Sequence, residues 1–240
     1  MRSVWPFARI AASALGFAAI AAQLALTLSI ALQATTEWGA HLPTVGVNFF
    51  SFFTILSNLS AAVALAIAAI WAWAAGRDAK AEPRWLAVLL ACVTTYMITT
   101  GIVYNLLLRG IELPQGSTVP WSNEVLHVVF PLFLLADALF APLRRALSWR
   151  TLGTIAAFPI AWAVYTLVRA NLVVAPATGA DYWYPYPFLD PHLTPGGYLG
   201  VAGYIVGIAA AIVCVGAGLI WLARRRAASS AASGRRSAPA

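Results

Sequence analysis

The stretch Asn48-Phe-Phe-Ser-Phe-Phe-Thr-Ile-Leu-Ser-Asn-Leu-Ser60 places polar side chains inside an otherwise apolar segment. On a helix that turns about 100° per residue, Ser51, Thr54, Ser57 and Asn58 fall on one side. A lipid bilayer offers hydroxyl and amide groups no hydrogen-bond partner, so this side is expected to face other helices or a wet cavity. The stretch therefore predicts a membrane helix that turns a polar face into a helix bundle.

The composition of the whole chain is that of an integral membrane protein. Of its 240 residues, 61% are hydrophobic and 10% are charged, and the mean hydropathy is +0.80. At about 20 apolar residues per crossing, this length allows six spans. We therefore expect one all-α bundle of six transmembrane helices, a multi-pass protein of the cell membrane. Cys92 and Cys214 both lie in apolar runs, which favours buried thiols over a disulfide or a metal pair.

Apolar runs separated by glycines, prolines and charged residues set the boundaries of the spans. The expected spans are residues 8–33, 45–75, 85–108, 122–141, 151–169 and 198–222. The transmembrane domain is then residues 1–223, and the Arg-, Ser- and Ala-rich tail 224–240 is expected to be disordered. In the sixth span Gly200, Gly203 and Gly207 share one face, a pattern typical of close packing against a neighbouring helix.

The positive charges predict an orientation. All 15 lysines and arginines except Arg109 and Arg169 fall on one side of this topology, among them Arg77 and Lys80. Because Lys and Arg collect in cytoplasmic loops, both termini are expected to be cytoplasmic. The net charge of +7 then belongs to an inner surface that faces anionic lipid. No nucleic-acid-binding motif is present, so nucleic acid is not an expected partner.

Two features of the fourth span carry structural expectations. Asp137 lies near its predicted inner end, where we expect it to pair with Arg144 or Arg145. Pro131 has no N–H, so the carbonyl of His127 loses its helical partner and needs another donor, and the helix is expected to kink there.

The connection between the fifth and sixth spans is rich in aromatic residues. It contains Asp181-Tyr-Trp-Tyr-Pro-Tyr-Pro-Phe-Leu-Asp190-Pro-His192. Tyr and Trp gather at membrane–water interfaces, so our first interpretation is an interfacial belt. The prolines also make the segment stiff enough to cover an outer cavity as a lid, which is the second interpretation.

Thr54 and His127 are the residues in which chemistry is expected to reside. At 1.5 Å per residue they lie about 13 and 9 Å from the predicted outer ends of their helices, so they can meet. A hydroxyl beside a neutral imidazole is the minimal nucleophile and general base for acyl transfer. A histidine is rare within membrane helices, which favours a function for His127. The structural alternative for Thr54 is a hydrogen bond to the carbonyl of Phe50 one turn earlier.

Three segments resemble a known family: Phe-Phe-Thr-Ile-Leu-Ser-Asn in the second span, His127-Val-Val-Phe-Pro131 in the fourth, and Tyr-Pro-Tyr-Pro-Phe-Leu-Asp in the aromatic connection. They look like the bacterial Pr-six-Pr family of six-helix membrane proteins, which is similar in turn to the eukaryotic androgen-induced (AIG/ADTRP) membrane hydrolases. In those hydrolases an intramembrane threonine and histidine cleave fatty acid esters of hydroxy fatty acids. The resemblance implies that Thr54 and His127 are the catalytic pair. The eukaryotic proteins have no clear counterpart of the Tyr-Pro-Tyr-Pro segment.

The first functional hypothesis is a lipid-ester hydrolase with Thr54 as nucleophile and His127 as base, acting on a fatty acyl ester. Either Arg109 or Arg169 is expected to hold a substrate carboxylate. The candidate hydrogen-bond donors to the oxyanion are Ser51, Asn58, Asn105 and Asn123.

The second hypothesis is a non-enzymatic lipid- or small-molecule-binding protein, or a transporter, that uses the same cavity. The absence of an obvious inverted repeat disfavours a transporter. In both cases the expected partner is membrane lipid, and the expected cavity is small, polar and lined by the second, third and fourth spans. His41, His127 and His192 lack the spacing of a metal site, so neither a metal nor another cofactor is expected.

Overall fold

The computed structural model describes residues 4–76, 79, 81–111 and 118–236, the last eight of these by their backbone only. Six helices in these ranges are long and apolar enough to cross a membrane, and the described ranges contain no strand. The prediction of an all-α, six-helix polytopic bundle is confirmed. The expectations for Arg2, Arg77, Lys80 and residues 237–240 fall outside the described residues, and the predicted orientation of the termini stays a prediction.

The six crossings are α1, α4, α5 with the π-helical segment that follows it, α6 to α7, α8 and α9. Helix α4 packs against both α1 and α5, and α9 packs against α5 and α8. In chain order the elements are α1 (Val4–Gln33), α2 (Glu37–Ala40), α3 (Leu42–Phe49), α4 (Phe53–Ala74), α5 (Arg84–Val103), a π-helical segment (Tyr104–Leu108), α6 (Pro120–Glu124), a second π-helical segment (Val125–Val129), α7 (Phe130–Phe140), α8 (Thr151–Ala170), a 3₁₀ turn (Pro187–Leu189) and α9 (Tyr198–Arg236).

The second span is broken between α3 and α4, so the single helix predicted for residues 45–75 is wrong. The N–H of Ser51 donates to the carbonyl of Asn48, three residues earlier, and the Ser51 hydroxyl donates to the carbonyl of Val47 at 2.7 Å. Side-chain bonds of this kind compete with the helical ladder. Phe52 is extended (φ −70°, ψ 129°), and the new helix begins at Phe53. Thr54 is therefore in the first turn of a helix and not in the middle of one.

One of the two predicted consequences of Pro131, another donor for the carbonyl of His127, is confirmed, and the kink stays a prediction. The carbonyl of His127 receives a hydrogen bond from the side-chain amide of Asn105 at 3.4 Å, and the chain forms the π-helical segment Val125–Val129 just before the proline. Such single π-turns re-route hydrogen bonds within a helix. The helices approach closely opposite this point, because a Cβ on Gly101 would lie 3.2 Å from the carbonyl oxygen of His127, a tight contact.

The aromatic connection between α8 and α9 is folded into the bundle. The side chains of Trp183, Tyr184, Tyr186 and Phe188 are buried and belong to one apolar cluster with Phe52. The N–H of Trp183 donates to the last residue of α8, Ala170, at 2.8 Å. The interpretation of these four aromatic residues as an interfacial belt is wrong, because their rings face protein.

Charged side chains close one end of the bundle, which we call the basic end. Asp137 is fully buried and accepts two bonds from Arg9, at 2.9 and 3.2 Å, and one from Arg144. Arg144 also pairs with Glu82 at 3.5 Å, and Glu82 is buried as well. The predicted pair of Asp137 with Arg144 is confirmed, and Arg9 is an additional partner. We call the opposite end, where α4 begins and α8 ends, the far end.

Helix α9 departs from two expectations. It continues to Arg236, so the disorder predicted from residue 224 is wrong for residues 224–236. Alanine and arginine favour helix, and residues 219–233 contain no Gly or Pro to stop it. The close packing predicted at Gly203 and Gly207 is also wrong, because a Cβ at either position would have no atom within 4 Å. Only Gly200, against the carbonyl of Pro195, has the close contact.

Candidate active site

The structure brings Thr54 and His127 together near the far end. The Thr54 hydroxyl oxygen lies 3.4 Å from Nε2 of His127. His127 lies in the π-helical segment of the fourth span and is buried, whereas Thr54 is half-buried at the start of α4. The distance is at the long end of the hydrogen-bond range, and contacts between a nucleophile and its base are often loose when no substrate is bound.

The proton on His127 can be assigned from its other ring nitrogen. Nδ1 lies 2.9 Å from the backbone carbonyl of Asn123. A carbonyl only accepts, so Nδ1 carries the hydrogen, and in the neutral imidazole Nε2 is then the acceptor. The Thr54 hydroxyl therefore donates to Nε2. This is the direction of proton transfer that a general base requires.

The plane of the imidazole is held by Tyr104. The two rings are nearly parallel, 19° apart, with centroids separated by 3.8 Å. The side-chain amide of Asn123 donates to the Tyr104 hydroxyl, so the ring that stacks on His127 is itself fixed. The imidazole is thus restrained through its face by Tyr104 and through Nδ1 by the helix backbone.

Tyr186 is the functional candidate that sequence reasoning missed. Its hydroxyl lies 3.2 Å from the Thr54 hydroxyl and 3.1 Å from the Thr54 N–H. The ring is buried, stacked on Phe188 at 5.2 Å and packed edge-on to Phe52 at 5.5 Å. Burial raises the pKa of the Tyr186 phenol, so its hydroxyl stays protonated. The Tyr-Pro-Tyr-Pro pattern predicts a stiff segment, but nothing in the pattern indicates that one of its tyrosine rings reaches α4.

Thr54 and Tyr186 share the wall of a cavity of about 300 Å³. The wall is apolar apart from these two residues, Tyr104 and the hydroxyls of Thr99 and Thr100, and it is formed by α4, the third span, α8, α9 and the aromatic connection. The cavity therefore differs from the predicted polar one lined by the second, third and fourth spans. No residue of the fourth span lines it, but His127 contacts two residues that do, Tyr104 and Thr54.

Asn58 ties the two catalytic candidates together through the backbone. Its amide donates to the carbonyl of Thr54 at 2.9 Å and to the carbonyl of Leu126 at 3.2 Å. The residue before His127 is thereby fixed to Thr54. Asn58 was a candidate donor to an oxyanion, but the structure uses its N–H groups to position the pair.

The other candidate donors also have protein partners and lie off the cavity wall. Asn105 donates to the carbonyls of Gly101 and His127, and Asn123 donates to Tyr104. Ser51 lies in the break before α4 and contacts the Tyr165 hydroxyl at 2.9 Å. Each of these side chains therefore stabilises the helices around the site.

The two candidate carboxylate-binding arginines lie outside the cavity wall. Arg109 is exposed and forms a two-point ion pair with Glu124, at 2.8 and 3.1 Å. Arg169 donates to the side-chain carbonyl of Asn48 at 2.7 Å and lies over the ring of Trp183.

The histidines do not converge. His41 contacts the Thr44 hydroxyl at 2.7 Å, and His192 stacks on Tyr182 with centroids 4.0 Å apart. Across the described ranges, no group of three or more His, Cys, Asp or Glu side chains is close enough to hold a metal ion.

Comparison of the chain with protein-family models, with curated protein sequences and with solved structures gives no match. Function is therefore inferred from the geometry of the site.

Proposed function

We propose that this protein is an intramembrane lipid-ester hydrolase in which Thr54 is the nucleophile and His127 the general base. One observation carries the proposal: the Thr54 hydroxyl donates toward the unprotonated Nε2 of His127 at 3.4 Å, on the wall of an apolar cavity. A nucleophile, an oriented base and a space that takes an apolar acyl group are the parts that acyl transfer needs.

The reaction proceeds in two halves. Thr54 Oγ1 attacks the ester carbonyl carbon, its proton passes to His127 Nε2, and the carbonyl π electrons move onto oxygen. The tetrahedral intermediate then expels the alcohol, which leaves with the proton from Nε2. A water molecule next attacks the acyl-threonine, His127 again takes a proton and returns it to Thr54 Oγ1, and the fatty acid is released.

The substrate class follows from the surroundings of Thr54. The cavity wall carries no charged side chain and is surrounded by membrane helices. An ester of a fatty acyl chain fits such a wall, because the chain loses no hydrogen bonds on entering it. The membrane that supplies this lipid is the cell membrane, and the charge distribution favours an arrangement with the far end outside.

The deciding test uses purified wild-type protein in detergent and in liposomes. A fluorophosphonate with an alkyl chain is expected to label Thr54, as located by mass spectrometry, and fatty esters are expected to release free acid. Thr54→Ala and His127→Ala should abolish both signals. Matched controls are Thr166→Val, which removes a buried hydroxyl from α8 away from the cavity wall, and His192→Ala; both should keep full activity.

The alternative is the non-enzymatic lipid-binding protein or transporter. If folded wild-type protein neither labels at Thr54 nor turns over a broad ester panel, yet binds a fluorescent lipid in the cavity, that alternative replaces the hydrolase. Orientation has a separate test: in a chain without other cysteines, His192→Cys should react with an impermeant maleimide on intact cells, and Ser230→Cys should not.

A further inference from the structure

Two hydrogen-bond donors meet where an ester carbonyl would be attacked. Thr54 is the second residue of α4, and the first N–H groups of a helix have no partner within it. The Thr54 N–H points instead to the Tyr186 hydroxyl at 3.1 Å, and that hydroxyl lies 3.2 Å from Thr54 Oγ1. Both residues line the cavity, so an ester carbonyl that Oγ1 attacks from the cavity would lie close to both donors.

The hydrogens in this cluster can be counted. The Thr54 hydroxyl gives its hydrogen to His127 Nε2, because Nδ1 of that ring is already a donor. Thr54 Oγ1 then accepts from Tyr186, and the Tyr186 oxygen accepts from the Thr54 N–H. In the resting state the Tyr186 hydroxyl therefore donates to the atom that becomes the nucleophile.

We propose that the Tyr186 hydroxyl and the Thr54 N–H form the oxyanion hole of this enzyme. The inference rests on the hydrolase function proposed above. When Oγ1 bonds to the carbonyl carbon, the new oxyanion is one bond beyond that carbon. A hydroxyl that already reaches Oγ1 can turn its hydrogen to the oxyanion, and the Thr54 N–H then donates to the same oxygen. Atoms balance, since the oxyanion holds the former π electrons and Tyr186 keeps its proton.

The surroundings favour this pair over the other donors. Asn58, Asn105 and Asn123 lie off the cavity wall, whereas Thr54 and Tyr186 line it. The N-terminus of the 22-residue helix α4 adds a favourable field for negative charge at this place. Tyr186 is held by its ring contacts with Phe188 and Phe52, so its hydroxyl is positioned before substrate arrives.

The first test is Tyr186→Phe, which keeps the ring and its packing and removes only the hydroxyl. Loss of one oxyanion donor is expected to lower kcat by about 10²- to 10³-fold with little change in KM. The matched control is Tyr96→Phe. Tyr96 is also buried and donates to a backbone carbonyl, that of Ile155, at 2.9 Å, so this variant loses a comparable hydrogen bond away from Thr54 and should keep its kcat.

The second test separates stabilisation of the oxyanion from a structural role. An alkyl boronic acid forms a tetrahedral, negatively charged adduct at the nucleophile, whereas an alkyl ether of the same length binds without reacting. In Tyr186→Phe the affinity for the boronic acid should fall by the same factor as kcat/KM, and the affinity for the ether should not change. Equal loss for both compounds would overturn the assignment, because it would mean that the hydroxyl only shapes the cavity.

A third measurement keeps the hydroxyl. A fluorinated tyrosine incorporated at position 186 has a more acidic phenol and so donates a stronger hydrogen bond while it stays protonated, so kcat should change progressively as fluorine atoms are added to the ring. A kcat that stays constant across such a series contradicts the inference even if Tyr186→Phe does not fold. The two proposals fail separately: inactive wild-type protein removes the hydrolase, whereas active wild-type protein with an equally active Tyr186→Phe variant removes only the oxyanion hole.

Discussion

The two ends of the bundle solve the problem of buried polarity differently. At the basic end Arg9, Asp137 and Glu82 are buried and Arg144 is nearly so, and these opposite charges pair with one another. The nearby space is only about 30 Å³. At the far end Thr54, His127 and Tyr186 make neutral hydrogen bonds of 3.2 to 3.4 Å beside a cavity ten times larger.

This contrast indicates where a reaction can take place in such a fold. Charges removed from water have to be paired closely, and a closed network has neither space nor a free lone pair for a substrate. Burying a neutral pair costs less free energy than burying charges, so its hydrogen bonds can be long and can lie beside an empty cavity. The basic end is therefore interpreted as a structural clamp and the far end as the reactive site. Four experiments test this division and are given in order of decreasing effect.

The strongest test is a double-variant cycle at the far end. Thr54→Ala and His127→Ala are each expected to lower turnover on the order of 10⁴-fold or more, and the double variant should be no worse than either single one, because nucleophile and base act as a unit. Ester hydrolysis is followed by release of free fatty acid. All three variants should unfold at the wild-type temperature, since the basic end is untouched. Losses that multiply in the double variant would mean that the two side chains act independently.

The second test breaks the basic end. Asp137→Ala leaves Arg9 and Arg144 without their shared carboxylate, and removal of one partner from a buried ion pair costs about 3–5 kcal/mol of folding free energy. Unfolding in mixed micelles of increasing SDS content measures the loss.

Glu124→Ala is the matched control. Both side chains of the Glu124–Arg109 ion pair are roughly half exposed, so its loss should cost little folding free energy. Protein that remains folded should keep its kcat. A lowered kcat with intact stability would assign Asp137 to the reactive site and end the proposed division.

The sequence predicts those parts of both ends that depend on short segments. Six spans follow from apolar length, and the pair of Asp137 with Arg144 follows because only seven residues separate them. Thr54 and His127 were identified because polar side chains are conspicuous in apolar helices. The donor Arg9 is 128 residues from Asp137, and Tyr186 is 132 residues from Thr54. A local sequence pattern does not indicate which side chains distant in the sequence come into contact.

Periodicity also could not predict where a helix is interrupted or what a face touches. At the break before Phe53 the Ser51 side chain bonds to the carbonyl of Val47, and composition does not distinguish this arrangement from a continuous helix. The glycine face of α9 has the spacing of a packing surface, but whether a neighbour covers it depends on the angle between α9 and the helices beside it.

The third test compares two unpaired hydroxyls, one near each end. The Oγ1 atoms of Thr99, on the wall of the large cavity, and Thr94, on the wall of the small one, are buried and have no hydrogen-bond partner in the structure. Replacement by valine removes an unsatisfied polar group, so both variants are expected to gain about 1 kcal/mol of stability.

Only Thr99→Val should also alter the KM for a fatty ester, because only that hydroxyl is beside the proposed acyl site. Thermal unfolding and steady-state kinetics measure the two effects. A change in KM for Thr94→Val, or none for Thr99→Val, would contradict the assignment of the large cavity to substrate.

The smallest expected effect is on stability and concerns α9. This helix is closely packed toward the basic end and has open space beside it toward the far end. Toward the basic end, a Cβ on Gly216 would lie 3.2 Å from Ile155, so Gly216→Leu should overpack the contact with α8 and cost about 1–3 kcal/mol. Toward the far end, Gly203 and Gly207 have open space beside them. Gly203→Leu and Gly207→Leu should therefore stay within about 0.5 kcal/mol of wild type, as surface substitutions do. Thermal unfolding of the three variants in one detergent measures the difference.

If Gly203→Leu loses as much stability as Gly216→Leu, a helix from outside the single chain covers that face, and cross-linking should then capture a second copy of the protein.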